Sequence, residues 1–181
     1  MSTNEQAHTV DLPEGVTGSV AGRQLSVKGP LGTARKNFDR IHVDIEVKDG
    51  KIVIRPFTEK KKDLVSSNTV SSLARNMVTG VTKGYTYKLK VIFAHFPVTV
   101  KVKGDKVSVE NFMGERSARV SQILGDCKVT VEGDDIIIKG VSLEDVGQTA
   151  ANLEQITKIK RKDQRIFLDG VYVYEKLKGG W

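Results

Sequence analysis

Residues 98–110 read VTVKVKGDKVSVE, with apolar and polar positions alternating on both sides of a Gly-Asp pair. Alternation of period two around such a pair predicts a β-hairpin with one buried face. The same pattern recurs at 16–20 and 25–28, around a glycine-containing turn at 21–24. A second strand pair follows in each stretch: 41–47 with 52–55, and 127–131 with 136–139. Asp49-Gly50 and Gly133-Asp134 mark their turns. Longer loops, GPLGTARKN and NFMGERSAR, separate the two pairs in each stretch. The period then lengthens to that of a helix. One helix is expected over 64–78, ending at Gly80, with Val65, Thr69, Leu73 and Met77 on one stripe. A second is expected over 143–158, with Val146, Ala150, Leu153 and Thr157 in line. Ser142, followed by Glu144 and Asp145, has the chemistry of its N-cap. A last strand follows each helix, at 85–93 and 171–176.

The two stretches are copies of one another. VTGSVAGRQLSVKGPLG at 16–32 aligns with VTVKVKGDKVSVENFMG at 98–114, and seven of the seventeen pairs are identical. VKDGKIVIR at 47–55 and SNTVSSLARN at 67–76 find partners in VEGDDIIIK and GQTAANLEQI, in the same order and at nearly the same offset. Two copies are too few for a solenoid, so the chain reads as duplicated globular domains. The expected organisation is α+β: two tandem similar domains, 1–93 and 94–181, each a small antiparallel β-sheet structure with one helix, joined near 92–97. Domains of roughly 90 residues bury modest cores, so support from a neighbour is expected.

Composition narrows the chemistry. The net charge is +7, which suits nucleic acid, an acidic protein or a membrane surface. A single cysteine, Cys127, leaves no intramolecular disulfide and no cysteine-rich zinc site; within CKVTV it reads as a small buried hydrophobe. MSTNEQAHTV carries no leader pattern, and no apolar run reaches the ~20 residues of a bilayer span. A cytoplasmic location without a membrane partner is therefore expected. His8, His42 and His95 have no second ligand at metal-binding spacing, and His95 reads as a packing residue. The glycine loops GPLG and GERS lack the phosphate-binding lysine pattern. Asp134, Asp135, Glu144 and Asp145 fall at a turn and a helix start, where solvent and the helix dipole satisfy them. No catalytic constellation, metal or cofactor is expected.

The basic residues carry more information. KIKRKDQR at 158–165 holds Lys158, Lys160, Arg161, Lys162 and Arg165 against one aspartate. Residues 96–181 as a whole contain 14 basic and 13 acidic residues, so that half is polarised around this segment. Attraction to phosphate acts within roughly 10 Å in physiological salt, so a compact island of charge is what RNA contacts require. The first half is more basic overall but diffusely so, its one run being Lys60-Lys61-Lys62. The copies diverge here: only Lys83 lies between Val78 and Tyr85, where the second copy has IKRKDQR. Lys101, Lys103 and Lys106 of the second hairpin, and Gly114, Arg116 and Arg119 of the following loop, are further candidates. Glycine admits close backbone approach and arginine fits phosphate. Few exposed aromatics accompany these charges, which favours recognition of RNA shape and backbone over base stacking.

LSVKGPLG, the AHFP linker, GQTAANLEQ at the second helix and KDQRIFLDGVYVY near the end together resemble the L-six family of large-ribosomal-subunit proteins. AHFP and the DxRxFxDGxY ending resemble its archaeal and eukaryotic branch, and the length resembles the archaeal form. The resemblance implies two similar α+β domains and a structural ribosomal protein. Its implied partners are large-subunit rRNA, neighbouring ribosomal proteins and, nearby, translational GTPases at the stalk base. It implies a main RNA contact through the second domain, by Lys158, Lys160, Arg161, Lys162 and Arg165 with the 114–119 loop. Gln148 and Asn152 match the family's helix motif and are expected to face RNA in part; Asp169-Gly170 reads as a turn. The alternative is a two-domain adaptor docking on acidic protein partners. An RNA-directed enzyme would require converging carboxylates or histidines that the chain does not offer.

Overall fold

The computed structural model describes residues 7–160, 162, 163 and 165–181. They fall into two compact units that divide between Lys83 and Gly84. In the first, β1 (His8–Asp11), β2 (Thr17–Ala21), β3 (Gln24–Gly29), β4 (Gly32–Asn37), β5 (Val43–Lys48) and β6 (Lys51–Pro56) precede α1 (Lys61–Thr82). The strands make two antiparallel sheets, ordered β2-β3-β4 and β1-β6-β5. In the second unit, β7 (Tyr85–Ile92), β8 (Thr99–Lys103), β9 (Lys106–Glu110), a 3-10 turn (Phe112–Gly114), β10 (Arg119–Gln122), β11 (Lys128–Glu132) and β12 (Asp135–Gly140) precede α2 (Leu143–Ile156) and β13 (Gly170–Lys178). Their sheets are ordered β10-β9-β8 and β11-β12-β7-β13, again antiparallel. The α+β architecture in two tandem copies is as expected.

Turn chemistry sets the registers. Asp49 and Gly50 both take positive φ, 51° and 70°, which is the type I′ geometry that joins two twisted strands through two residues. The pairing of Lys48 with Lys51 follows directly. Each helix covers its sheets with an apolar face. In the second unit Ile136 and Ile138 of β12, Leu89 of β7 and Leu153 of α2 are fully buried in one core with Val146, Ala150 and Val171. The stripe expected on α2 is the buried one, Thr157 included at 1% exposure.

Three expectations change. The α1 stripe is rotated: Val65 is 58% exposed, and the buried face runs through Ser67, Val70, Ser71, Ala74, Met77, Val78 and Val81. Steps of four residues drift about 40° each on a helix, so a stripe of pure i+4 steps leaves the core within three turns. The GPLGTARKN loop contains a strand, β4, paired along β3 from Gly29–Gly32 to Gln24–Asn37. The boundary at 93 moves to Lys83, because the strand after α1 pairs with β12 and β13 of the second unit. β7 is the counterpart of β1, as both are antiparallel neighbours of the second hairpin's returning strand. β13 has no counterpart in the first unit among the described residues.

Candidate nucleic-acid interface

The basic segment leaves α2 at Thr157 and re-enters the sheet at Gly170, and side-chain chemistry pins both ends. At the near end the buried Thr157 hydroxyl donates to the Leu153 carbonyl (3.0 Å) and accepts from the Val171 N–H (3.1 Å). At the far end Asp169, only 2% exposed, accepts from the Ala94 N–H (2.8 Å), the His95 N–H (3.3 Å) and His95 Nδ1 (2.9 Å). Burial alone would raise its pKa. The hydrogen bonds from Ala94 and His95 outweigh burial and hold the carboxyl below its ordinary value. The His95 ring stacks on Phe167 with centroids 4.8 Å apart, and the Lys162 ammonium lies 4.6 Å from the centroid of that Phe167 ring. The packing role expected for His95 is present, in a linkage of four side chains that includes a lysine of the basic segment.

Lys158, Lys160, Lys162 and Arg165 are all exposed. Arg161 lies outside the described residues. Asp163 organises the turn between them: its side chain accepts from the Arg165 N–H (3.0 Å) and its carbonyl from the Ile166 and Phe167 N–H groups. The Arg165 side chain, 93% exposed, sits 3.7 Å from Asp163, a pairing too solvated to neutralise it.

A groove of about 460 Å³ runs beside the segment, lined by Arg119, Val120, Gln155, Ile156, Lys158 and Lys160. It unites the start of β10 with the end of α2 and the basic segment that follows it, two stretches that the sequence separates. Arg119 is on the wall in a fixed pose. Its guanidinium donates from Nε to Glu115 (2.8 Å), from a terminal nitrogen to the other Glu115 oxygen, and to the Ile156 carbonyl (2.6 Å), over the Phe112 ring at 4.5 Å. The hydrogen bond to Glu115 raises the Arg119 pKa against partial burial and lowers that of Glu115. Arg119 thus fastens the 111–119 loop to the end of α2, and its donors are largely spent there.

Gly114, at φ +75°, lies beneath the Phe96 ring, where a Cβ would stand 3.3 Å from two ring carbons. Its glycine serves that turn and contact. Arg116 is exposed. Gln148 and Asn152 bond to each other on the polar face of α2 (2.8 Å). Gln155 follows along the same face by helical spacing and reaches the groove. Of the second hairpin's lysines, Lys101 is paired with Glu110 at 2.6 Å.

Four residues that build the site without bringing a cation to it are not among those the sequence singles out for RNA: Glu115, Gln155, Thr157 and Phe167. The only signal was that AHFP and FLDG are both distinctive; the separation of 74 positions between His95 and Asp169 hides their contact. Among the described residues no three His, Cys, Asp or Glu side chains converge on a metal-sized site, and no helix is long and apolar enough to cross a membrane.

The family model described as Ribosomal protein L6 matches residues 12–84 and again residues 96–170. Large ribosomal subunit protein uL6 of Methanocella arvoryzae is 41% identical over 173 residues, covering 95% of this chain and 98% of that protein. Its namesake in Desulfurococcus amylolyticus is 44% identical over 173 residues, 94% of each. That of Methanosarcina mazei is 42% identical over 172 residues, 95% of this chain and 98% of its own.

Proposed function

The chain belongs to the ribosomal protein L6 family, and from that membership we propose that it is a structural constituent of the large ribosomal subunit, in the cytoplasm, held by its second unit on large-subunit rRNA. The observation that carries the RNA contact is the doubly pinned basic segment, with Lys158, Lys160, Lys162 and Arg165 exposed beside the Arg119–Gln155 groove. Fixing both ends removes part of the ordering cost that a free basic loop would meet on binding. The resemblance of AHFP and the DxRxFxDGxY ending to the family supports a place near the stalk base, among neighbouring ribosomal proteins and close to where translational GTPases act.

The protein is expected to co-sediment with large subunits at moderate salt, with affinity falling steeply as salt rises. Lys160→Glu with Lys162→Glu should weaken binding more than Lys60→Glu with Lys61→Glu. Equal losses would remove the segment from the site, and failure to co-sediment would end the reading. Binding that survives complete nuclease digestion would favour the acidic-protein adaptor.

A further inference from the structure

A second groove, of about 370 Å³, adjoins the first and shares Lys158 with it. The first is walled mainly by polar and charged side chains; the second by Ile159, Phe167, Leu168, Gly170 and Tyr172, with Glu154 and Thr157 at the α2 side. Both α2 side chains are occupied, Glu154 accepting from the Val173 N–H (2.9 Å) and Thr157 from the Val171 N–H. Tyr172 is the distinctive wall. Its ring lies against Gly170, where a Cβ would stand 3.0 Å from two ring carbons and the hydroxyl oxygen, and its hydroxyl donates to the Leu168 carbonyl (3.2 Å). Gly170 is not in the left-handed region, so glycine there provides room for the ring. The ring is held down on one side, and the residue is still 45% exposed. Of the two aromatic rings lining the groove, Phe167 is engaged by His95 and Lys162, which leaves Tyr172 as the open one.

We propose that this groove takes one unpaired nucleotide of the bound RNA, its base stacked on Tyr172 and its phosphate against Lys158 and the adjoining polar groove. The proposal rests on the RNA-binding reading and adds a base contact to it. A pre-set ring beside a row of cations is the combination by which proteins hold splayed-out bases. The volume is within the roughly 300–1,000 Å³ of small-ligand sites. The exposed Leu168 and Ile166, at 57% and 64%, flank the same turn, and a base edge would cover such apolar surface. The scarcity of exposed aromatics in the sequence argued against stacking. The proposal departs from that expectation because one exposed tyrosine lies at the charged island.

The test uses the full chain and large-subunit RNA. Ultraviolet crosslinking of the wild-type complex, read by mass spectrometry, is expected to attach a nucleotide to the peptide carrying Leu168 or Tyr172. Tyr172→Ala should bind about tenfold to a hundredfold more weakly with an unchanged salt slope, while Tyr172→Phe stays near wild type. Lys158→Gln should lower the slope by about one. A Tyr172→Ala protein that binds like wild type, or a wild-type complex with no crosslink in this peptide, overturns the base contact and leaves the RNA site standing. A wild-type chain that does not bind the RNA overturns both. The crosslink needs no variant, so a folding defect in Tyr172→Ala does not shield the proposal.

Discussion

Asp169→Ala removes the far anchor of the basic segment without touching a cation. The carboxylate accepts three hydrogen bonds, two from the main chain at Ala94 and His95 and one from the His95 ring. A hydrogen bond to a charged acceptor contributes about 1.5–3 kcal/mol, but Ala94 and His95 lie where water can replace part of the loss. The expected destabilisation of the second unit is therefore about 2–4 kcal/mol. For a unit of this size that lowers its midpoint by roughly 10–25 °C. Trp181, the only tryptophan, belongs to the second unit, so urea unfolding followed by its fluorescence reports this unit apart from the first. His95→Ala, which loses one hydrogen bond and the stacking on Phe167, should cost about 1–2 kcal/mol. RNA affinity at fixed salt should also fall in Asp169→Ala, though no positive charge has gone. The carboxyl's pKa is lowered in the folded state, so its stabilisation is complete above the unfolded value of about 3.9 and is lost as pH falls through the folded one. Asp169→Ala should accordingly flatten the acid limb of stability below about pH 4. A variant that unfolds within 0.5 kcal/mol of wild type, the order of an inconsequential surface change, would refute the anchor.

Arg119→Lys keeps the charge but loses the fork that spans Glu115 and the Ile156 carbonyl, so it should destabilise the second unit by about 1–2 kcal/mol and weaken RNA binding through a displaced 111–119 loop; unchanged thermal stability would show the fork to be dispensable. Cys127 is half-buried against the core rather than fully buried, and this partial burial pushes its thiol up to about 11, leaving roughly a hundredfold less thiolate at neutral pH than a free cysteine has. Its alkylation by iodoacetamide should be slow by a similar factor and should speed up in urea; a native rate matching that of a free thiol would contradict the burial.

What was legible in the sequence was whatever depends on neighbours along the chain. The hairpins at 16–28 and 98–110 follow from alternation and turn residues, and Ser142 accepts from the Asp145 N–H as an N-cap does. The α2 stripe was found because its steps of four, three and four average the helical period; the α1 stripe was misplaced because repeated steps of four do not. The cations were visible as composition. Their setting was not, since Thr157 meets Val171 and His95 meets Asp169 only after the chain has closed. Arg119 shows the converse. A charge counted as available for RNA is committed to Glu115 and a helix-end carbonyl.

The repeat acquires a different meaning once the strands are matched by their neighbours. β1 and β7 are equivalent, so the duplicated body is a strand, two hairpins with a third strand on the first, and a helix. β13 is then an addition alongside β7, at a position that no described strand fills beside β1. Most of the proposed site arrives with that addition: the basic segment leads into β13, Asp169 precedes its first residue and ties it to Ala94 and His95, and Tyr172 lies on it. A strand added at a sheet edge leaves N–H groups open to pairing with other chains. Here those of Val171 and Val173 are taken by Thr157 and Glu154, side chains of the α2 end that also wall the second groove. Closing the first part of the new edge and shaping the site are therefore one structural event. On this reasoning Glu154→Ala should both loosen β13 in hydrogen exchange and weaken RNA binding. Exchange that loosens while binding stays at wild type would separate the two.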